Sequence, residues 1–580
     1  MAIRTLDRTL FALALFAFMA SDPADATAQD PSDRLRALNR SDRVDVTSIG
    51  RSAGGADLLL ATVAGPGDGG GRPAVLVLAG EQAAHAIGTD VALAAIERLS
   101  DGYGSDPEIT SLLDGVTVHF IPLLSPDAER SSRLRPVHET RRNDQPRDDD
   151  RDGLVDEDGP DDLNGDGWIT MMRIEDATGE YTEDEDEPGL MRIADPARGD
   201  SPSWRLLVEG RDDDGDGRFN EDPKGGVDIG ANFPRRYPWF ESVAGDYPLS
   251  APEARAVAQL LADRDEIGMV VVFGTRDNLL SPWKSNPAGE PGSEGERVRE
   301  PLKFALAGDA PWYAEIARRY RERTGRSESD TLGVRPEGGD PLSWAYFQMG
   351  RWAFGSSVWT PPAAERPDST TAIPEDREAA SDSASRSGSG DSRTSEASDP
   401  VAAERRRLRW IRANRPEDFL DWEPVDHPDF EDRRVEVGGF RPLTGWTPPA
   451  AIRDSIVRKE VEFLIDIAML LPRIEIVESK AESLGDDTWR VSVRIANTGY
   501  LPTRTRLADR LGRPRSVRVD LETNGQELAG GRAVRLLEAL PGSGSAEELT
   551  WIVVGKGNGR VAVSAGSASA GRDRKEIQLR

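Results

Sequence analysis

Ala74 to Leu78 is an unbroken apolar run, and it leads into the turn Ala79-Gly80-Glu81-Gln82-Ala83-Ala84-His85. Beyond the turn, Ile87, Val91, Ala94 or Ala95 and Leu99 recur every three to four residues. That is the period of a helix with one apolar face. The stretch is therefore a strand, a tight turn and a helix. In an open α/β sheet such a turn lies at the carboxyl end of a strand, where ligands bind. This unit fixes the fold class as α/β and marks the place to look for a site.

The residues around it extend the pattern. Val44, Val46 and Leu58 to Val63 read as a β-hairpin, with Gly54-Gly55 at its turn. Val116 to Ile121 is a further strand, and Gly268 to Phe273 and Ala353 to Trp359 read as two more. Ser250-Ala251-Pro252-Glu253 has the form of a capping box opening a helix through Arg264. Helices are also predicted over Ala310 to Arg323, Pro341 to Met349 and Ala451 to Leu471, the last stopped by Pro472. From Arg473 the apolar period changes to two. Trp489, Val491, Val493 and Ile495 alternate with polar residues, as do Val517, Val519 and Leu521. Residues 472–580 are thus expected to form an antiparallel β-sandwich, an accessory module that names no ligand.

Several of these segments resemble the zinc carboxypeptidase family. The family's zinc-binding turn reads Gly-x-His-x-x-Glu before a helix, and Gly80, Ile87 and Gly88 match that frame. Val227-Asp228-Ile229-Gly230-Ala231-Asn232-Phe233-Pro234 aligns without gaps with the family's substrate-binding block. Phe273-Gly274-Thr275 falls on the strand that ends in the second zinc His, and Phe354-Gly355-Ser356-Ser357-Val358-Trp359 on the segment that carries the general base. The resemblance implies a mixed carboxypeptidase-like sheet flanked by helices over residues 29–360 and 404–471, plus the C-terminal sandwich.

The chemistry at these positions departs from the family. Gln82 stands in place of the first zinc His, His85 in place of the zinc Glu, and Gly274 in place of the second zinc His. A catalytic zinc needs three protein ligands and an open position. Ser357 replaces the general base, and a neutral hydroxyl cannot take a proton in that role. Gly230 and Ala231 replace an Asn-Arg pair that would grip a substrate carboxylate through bidentate contacts. The family's closing Tyr has no counterpart between Arg321 and Ala345. Arg141, in Thr140-Arg141-Arg142-Asn143, fits one family carboxylate-binding position. The reading is a catalytically inactive homologue without zinc. Its rival is an active metallocarboxypeptidase or amidohydrolase whose metal site is rebuilt from Glu81, His85 and His119.

Residues 148–222 hold 27 Asp and Glu against 7 Arg and no Lys, two-thirds of the chain's formal charge of −30. Three segments share Asp-x-[Asp/Asn]-x-Asp-Gly-x-apolar. They are Asp148, Asp150, Asp152 with Gly153; Asp162, Asn164, Asp166 with Gly167; and Asp212, Asp214, Asp216 with Gly217. Alternate oxygen donors with a Gly at the bend begin a calcium loop. None has the twelfth-position Glu of an EF-hand, so Asp156 and Asp158, Asp161, or Asn220 and Asp222 are candidates to complete the shells. Calcium is the expected cofactor.

The strongly acidic balance argues against nucleic acid or an anionic membrane surface as the natural partner. There is no Cys, hence no disulfide or thiolate chemistry, and only four His, namely His85, His119, His138 and His427. Residues 1–28 have the form of a signal peptide: Arg4 and Arg8, an apolar stretch from Leu10 to Ala20, and Ala26-Thr27-Ala28 for cleavage. A retained anchor is the alternative for that segment, and no other stretch is apolar enough to span a bilayer. The expected location is the periplasm or the exterior. Residues 361–403 are Ser-, Asp-, Glu-, Ala- and Pro-rich and are expected to be a disordered linker. The ligand expected for the cleft is a peptide or an envelope glycan. A structural, calcium-ordered envelope protein is the third reading.

Overall fold

A computed structural model describes residues 30–67, 71–286, 302–330, 338–361, 400–513 and 515–580. The segment read as a signal peptide and most of the segment read as a linker lie outside these residues. The helix Pro400–Asn414 takes in residues 400–403, which the sequence reading gave to the linker.

The predicted apolar runs form one six-stranded mixed sheet. Its order is Val44–Arg51, Asp57–Val63, Thr117–Ile121, Ala74–Ala79, Ile267–Phe273, Trp352–Ser356. The first three strands pair antiparallel, and the last four run parallel. All six residues of Ala74–Ala79 are buried, as a central parallel strand covered on both faces requires. The cover comes from helices such as Ala86–Gly102, Pro252–Asp263, Ala310–Thr324 and Ala450–Ala468, which join the strands in one core. From Ala74–Ala79 the chain passes to Thr117–Ile121 on one side, and Ile267–Phe273 lies on the other. This is the switch point at whose carboxyl edge open α/β sheets form their ligand crevice.

Gly88 shows how tightly the first helix meets this sheet. A Cβ there would lie 2.5 Å from the Phe273 carbonyl oxygen and 2.8 Å from His85 Nδ1. The capping box at Ser250 does not form. Asn232 does its work instead: its Oδ1 accepts from Ala251 N at 3.0 Å, while its Nδ2 donates to Ser250 Oγ at 2.9 Å. Glu253 is buried and accepts from Asn143 Nδ2 and Ala53 N, both at 2.9 Å.

A second six-stranded sheet was not foreseen. Its order is Phe419–Val425, Val435–Phe440, Met171–Glu175, Trp204–Val208, Tyr181–Glu183, Met191–Ile193, all antiparallel. Four of its strands come from the acidic insert and two from the segment after the linker. Arg173 and Glu436 face each other in register across it, 2.6 Å apart and buried. The Arg173 guanidinium lies 4.5 Å from the Trp204 ring centre and 4.6 Å from that of Trp422. Such cation–π contacts offset part of its desolvation.

The C-terminal residues form two four-stranded antiparallel sheets. One is Ile474–Gly485, Thr488–Asn497, Ser545–Val554 and Glu527–Gly530; the other is Val534–Leu537, Val517–Glu522, Arg560–Ser567 and Gly571–Gln578. Val491, Val519, Trp551 and Val563 meet between them. Among the described residues no helix is long and apolar enough to cross a membrane.

Candidate functional site

The crevice gathers the positions that the alignment singled out. Gly80, with φ of 65°, turns the chain out of the central strand and aims Glu81 and Gln82 inward. Gln82 Nε2 donates to both oxygens of Asp228, at 3.4 and 3.2 Å. Asp228 also caps the short helix Ile229–Ala231 by accepting from Gly230 N at 2.9 Å. The Gln82 amide, at the position that aligns with the family's first zinc His, is thus tied to a carboxylate.

Glu81 is the residue the sequence reading undervalued. It is 2 % exposed, and neither of its carboxylate oxygens has a hydrogen-bond partner. Burial pushes its pKa up to about 7; Arg276 opposes the shift, and Asp228 and Asp340 reinforce it. A Cβ on Gly274 would lie 2.8 Å from Glu81 Oε1, and a Cβ on Gly230 would lie 3.5 Å from Glu81 Cδ. The Glu81 carboxylate therefore occupies the space that the missing side chains at Gly274 and Gly230 leave. Burial raises the pKa of Asp228 as well, against the pull of Arg141 and Arg276. Arg276 is largely buried and donates to the Gly338 carbonyl at 3.3 Å. Its place two residues past Gly274 was the only sequence signal for it. Arg141 lies on the rim, paired with Glu139 at 2.9 Å. Ala231 packs with Tyr237 and Ala244. Tyr237 meets Trp239 edge-on at 4.9 Å, and Trp239 and its neighbour Phe240 project into solvent, 64 % and 103 % exposed.

His85 is fully buried, with Nε2 3.0 Å from the Ser357 carbonyl oxygen. A carbonyl can only accept, so Nε2 carries the proton and Nδ1 is left without a partner. Burial lowers the pKa of His85 to about 4, so the ring is neutral at physiological pH. Ser357 Oγ donates to Asp277 Oδ2 at 2.9 Å and accepts from Arg326 Nη2 at 3.0 Å. Arg326 donates to Tyr320 Oη at 3.0 Å, and Tyr320 donates to Glu460 Oε1 at 2.7 Å. The position of the general base is thus a hydroxyl fixed inside a buried polar chain.

These residues do not fit zinc. Of the three family ligand positions, only His85 offers a nitrogen, while Gln82 is engaged by Asp228 and Gly274 has no side chain. His119 does not join them: it sits within its strand opposite Leu76, its Nδ1 2.9 Å from Thr62 Oγ1. Among the described residues, every group of three or more metal-capable side chains lies in the acidic insert, and none includes a His.

In the insert, the first Asp of each loop accepts from the backbone of its own bend. Asp148 takes N–H from Arg151 and Gly153, Asp162 from Gly165 and Gly167, and Asp212 from Gly215 and Gly217, at 2.6 to 3.1 Å. The first and third loops bring carboxylates together: Asp148, Asp150 and Asp152 form one group, and Asp150, Asp214, Asp216 and Glu221 another. Asp156 is not in these groups; its Oδ1 accepts from Gly225 N at 3.2 Å. Asn220 Nδ2 donates to the Val208 carbonyl at 3.0 Å. Glu157 and Glu221, one residue further on, take part instead. In the second loop Asn164 Nδ2 bonds Asp166 Oδ2 at 3.3 Å, and Glu209 accepts from Leu163 N and Thr170 N.

Residues 33–165 match the family model described as zinc carboxypeptidase, and residues 473–578 match a domain of unknown function. No curated protein matches the chain. Similar solved structures include thrombin activatable fibrinolysis inhibitor, 15% identical with TM-score 0.31, over 55% of this chain and 63% of that one. Carboxypeptidase A from Helicoverpa armigera is 12% identical with TM-score 0.31, over 56% and 61%. A metallo-carboxypeptidase from Pseudomonas aeruginosa is 11% identical with TM-score 0.25, over 56% and 57%. The chain spans less than two thirds of the length of these three structures. The segment 33–165, which matches the zinc carboxypeptidase model, supplies four of the six strands of the mixed sheet.

Proposed function

We propose that this chain is an exported, non-catalytic member of its family that holds a peptide or envelope ligand in the crevice and calcium in the acidic insert. The observation that carries the first half is Glu81. A buried carboxylate with two free oxygens fills the space beside Gly274 and Gly230, and an amide–carboxylate pair, Gln82 with Asp228, stands beside it. A zinc-activated water has no set of ligands here, and Ser357 offers no base.

Binding is supported by charge near Asp228 and by exposed aromatic residues close in sequence to the Asp228 segment. Arg141 and Arg276 supply positive charge, and Trp239 and Phe240 present aromatic faces of the kind enriched at binding surfaces. Calcium binding is supported by the repeated loop chemistry and by the grouped carboxylates. Exported proteins meet enough calcium for weak sites to fill.

The test presents the purified mature chain with C-terminally varied peptides and with envelope glycan fragments. Binding without product is expected, and Trp239→Ala should weaken it. Hydrolysis that is lost on chelation and in Gln82→Ala, His85→Ala and Glu81→Ala would contradict the proposal.

A further inference from the structure

The first and third acidic loops are copies of one another. Asp148 and Asp212, Asp150 and Asp214, Asp152 and Asp216, Gly153 and Gly217, Glu157 and Glu221, and Asp158 and Asp222 are each separated by 64 residues. The backbone repeats too. Arg151 and Gly215 have φ of 73° and 80°, Gly153 and Gly217 have 100° and 91°, and Asp156 and Asn220 have 58° and 57°. The copies meet through an antiparallel bridge between the equivalent residues Asp158 and Asp222. A bridge between equivalent residues places the two loops about a local two-fold axis.

The carboxylates cross that axis. Asp222 groups with Asp150 and Glu157 of the other loop, and Asp158 groups with Asp212 and Asp214; the ligand atoms in each group lie within 4.8 Å of one another. Asp158 and Asp222 are both 0 % exposed, yet Asp158 Oδ1 and Asp222 Oδ2 have no hydrogen-bond partner. A buried carboxylate oxygen without a donor costs free energy unless a cation satisfies it. The two loops together carry thirteen carboxylates and only two arginines, Arg151 and Arg218.

We infer that the two loops form one paired site for two calcium ions, each ion held by its own loop and completed by the carboxylate that the other loop sends across the bridge. One ion is bound by Asp150 and Glu157 with Asp222, and the other by Asp212 and Asp214 with Asp158. Oxygen-only ligands in this number suit calcium, which takes six to eight. Because each loop finishes the other's shell, the first ion organises the site for the second. The inference rests on the reading of the insert as calcium-binding and adds pairing to it. The second loop, at Asp162, stays outside the pair.

The pair also braces the crevice. Arg142 bridges to Asp228, and Asn143 N donates to the Val227 carbonyl at 2.9 Å. These residues lead directly into the first loop and out of the third, so the ions would clamp the segment that presents Asp228 to Gln82.

The experiment is calcium titration of the chelator-stripped mature chain, followed by calorimetry and by counting bound ions in native mass spectrometry. Asp162→Asn with Asp166→Asn removes the second loop from the count. In that background the expected species are the ion-free and two-ion forms, with little one-ion form. Asp222→Asn, whose oxygen serves the other loop's ion, should weaken both ions tenfold or more. Glu157→Gln should do the same, with unchanged far-UV circular dichroism showing that each variant is folded. A dominant one-ion form, with Asp222→Asn affecting one ion only, would overturn the pairing and leave calcium binding intact. No calcium bound by the parent chain would overturn both.

Discussion

Replacing Glu81 by Gln should stabilise the protein at neutral and alkaline pH and do almost nothing at low pH. The Glu81 carboxyl is buried without a hydrogen-bond partner, and its pKa rises from the ordinary 4.5 to about 7. The folded state therefore holds this proton to higher pH than the unfolded state does. Its advantage is present in full below about 4.5 and is lost as pH climbs through about 7. A shift of about 2.5 units at 1.36 kcal/mol each amounts to roughly 3 kcal/mol of lost stability above pH 7. Gln is close to the protonated carboxyl in size and never ionises, so Glu81→Gln should recover most of that amount at pH 8. Differential scanning calorimetry of parent and variant at pH 4 and pH 8 measures this. The melting temperature of the carboxypeptidase-like domain should rise by several degrees at pH 8, with near-equality at pH 4. Equal melting at both values, or a less stable variant at pH 8, would show that Glu81 is solvated or paired and that the crevice is not built as described.

Three further outcomes follow from the same structure. His85, lowered to about 4 by burial, should keep a neutral ring in NMR titrations down to that value; the stability it contributes is present above its ordinary 6.5 and lost as pH falls through about 4. A ring that titrates near 6.5 would contradict its burial. Gly274→Ala places a methyl 2.8 Å from Glu81 Oε1 and should cost about 1–3 kcal/mol in chemical denaturation, where an open crevice would cost nothing. Arg173→Met leaves Glu436 with only Arg434 as its ion-pair partner and should cost about 1–3 kcal/mol, read as loss of the second sheet's protection in hydrogen exchange.

The mixed sheet was legible because its central strands are apolar runs of five to seven residues, as at Ala74–Ala79 and Ile267–Phe273. The second sheet was not. Tyr181–Glu183 and Met191–Ile193 are three residues long, and Met171–Glu175 pairs with Val435–Phe440 across more than 250 residues of chain. Such strands carry no period to read, and their pairing is decided by tertiary contacts. The same limit applied to the crevice. Gln82, His85, Gly230, Gly274 and Ser357 could be placed by alignment to family motifs. Glu81 and Arg276 could not, since what singles them out is burial and the empty space beside two glycines. In the insert the repeated loops were visible in sequence. Which of them would pair was not, and the carboxylates that group there, Glu157 and Glu221, sit one residue beyond the positions that spacing suggested, because Asp156 and Asn220 turn away to bond backbone.

The most direct test of the account is the metal content of the purified mature protein, with zinc and calcium measured together by elemental mass spectrometry. The account predicts calcium, removable by chelator, and no stoichiometric zinc. One tightly held zinc per chain would contradict it.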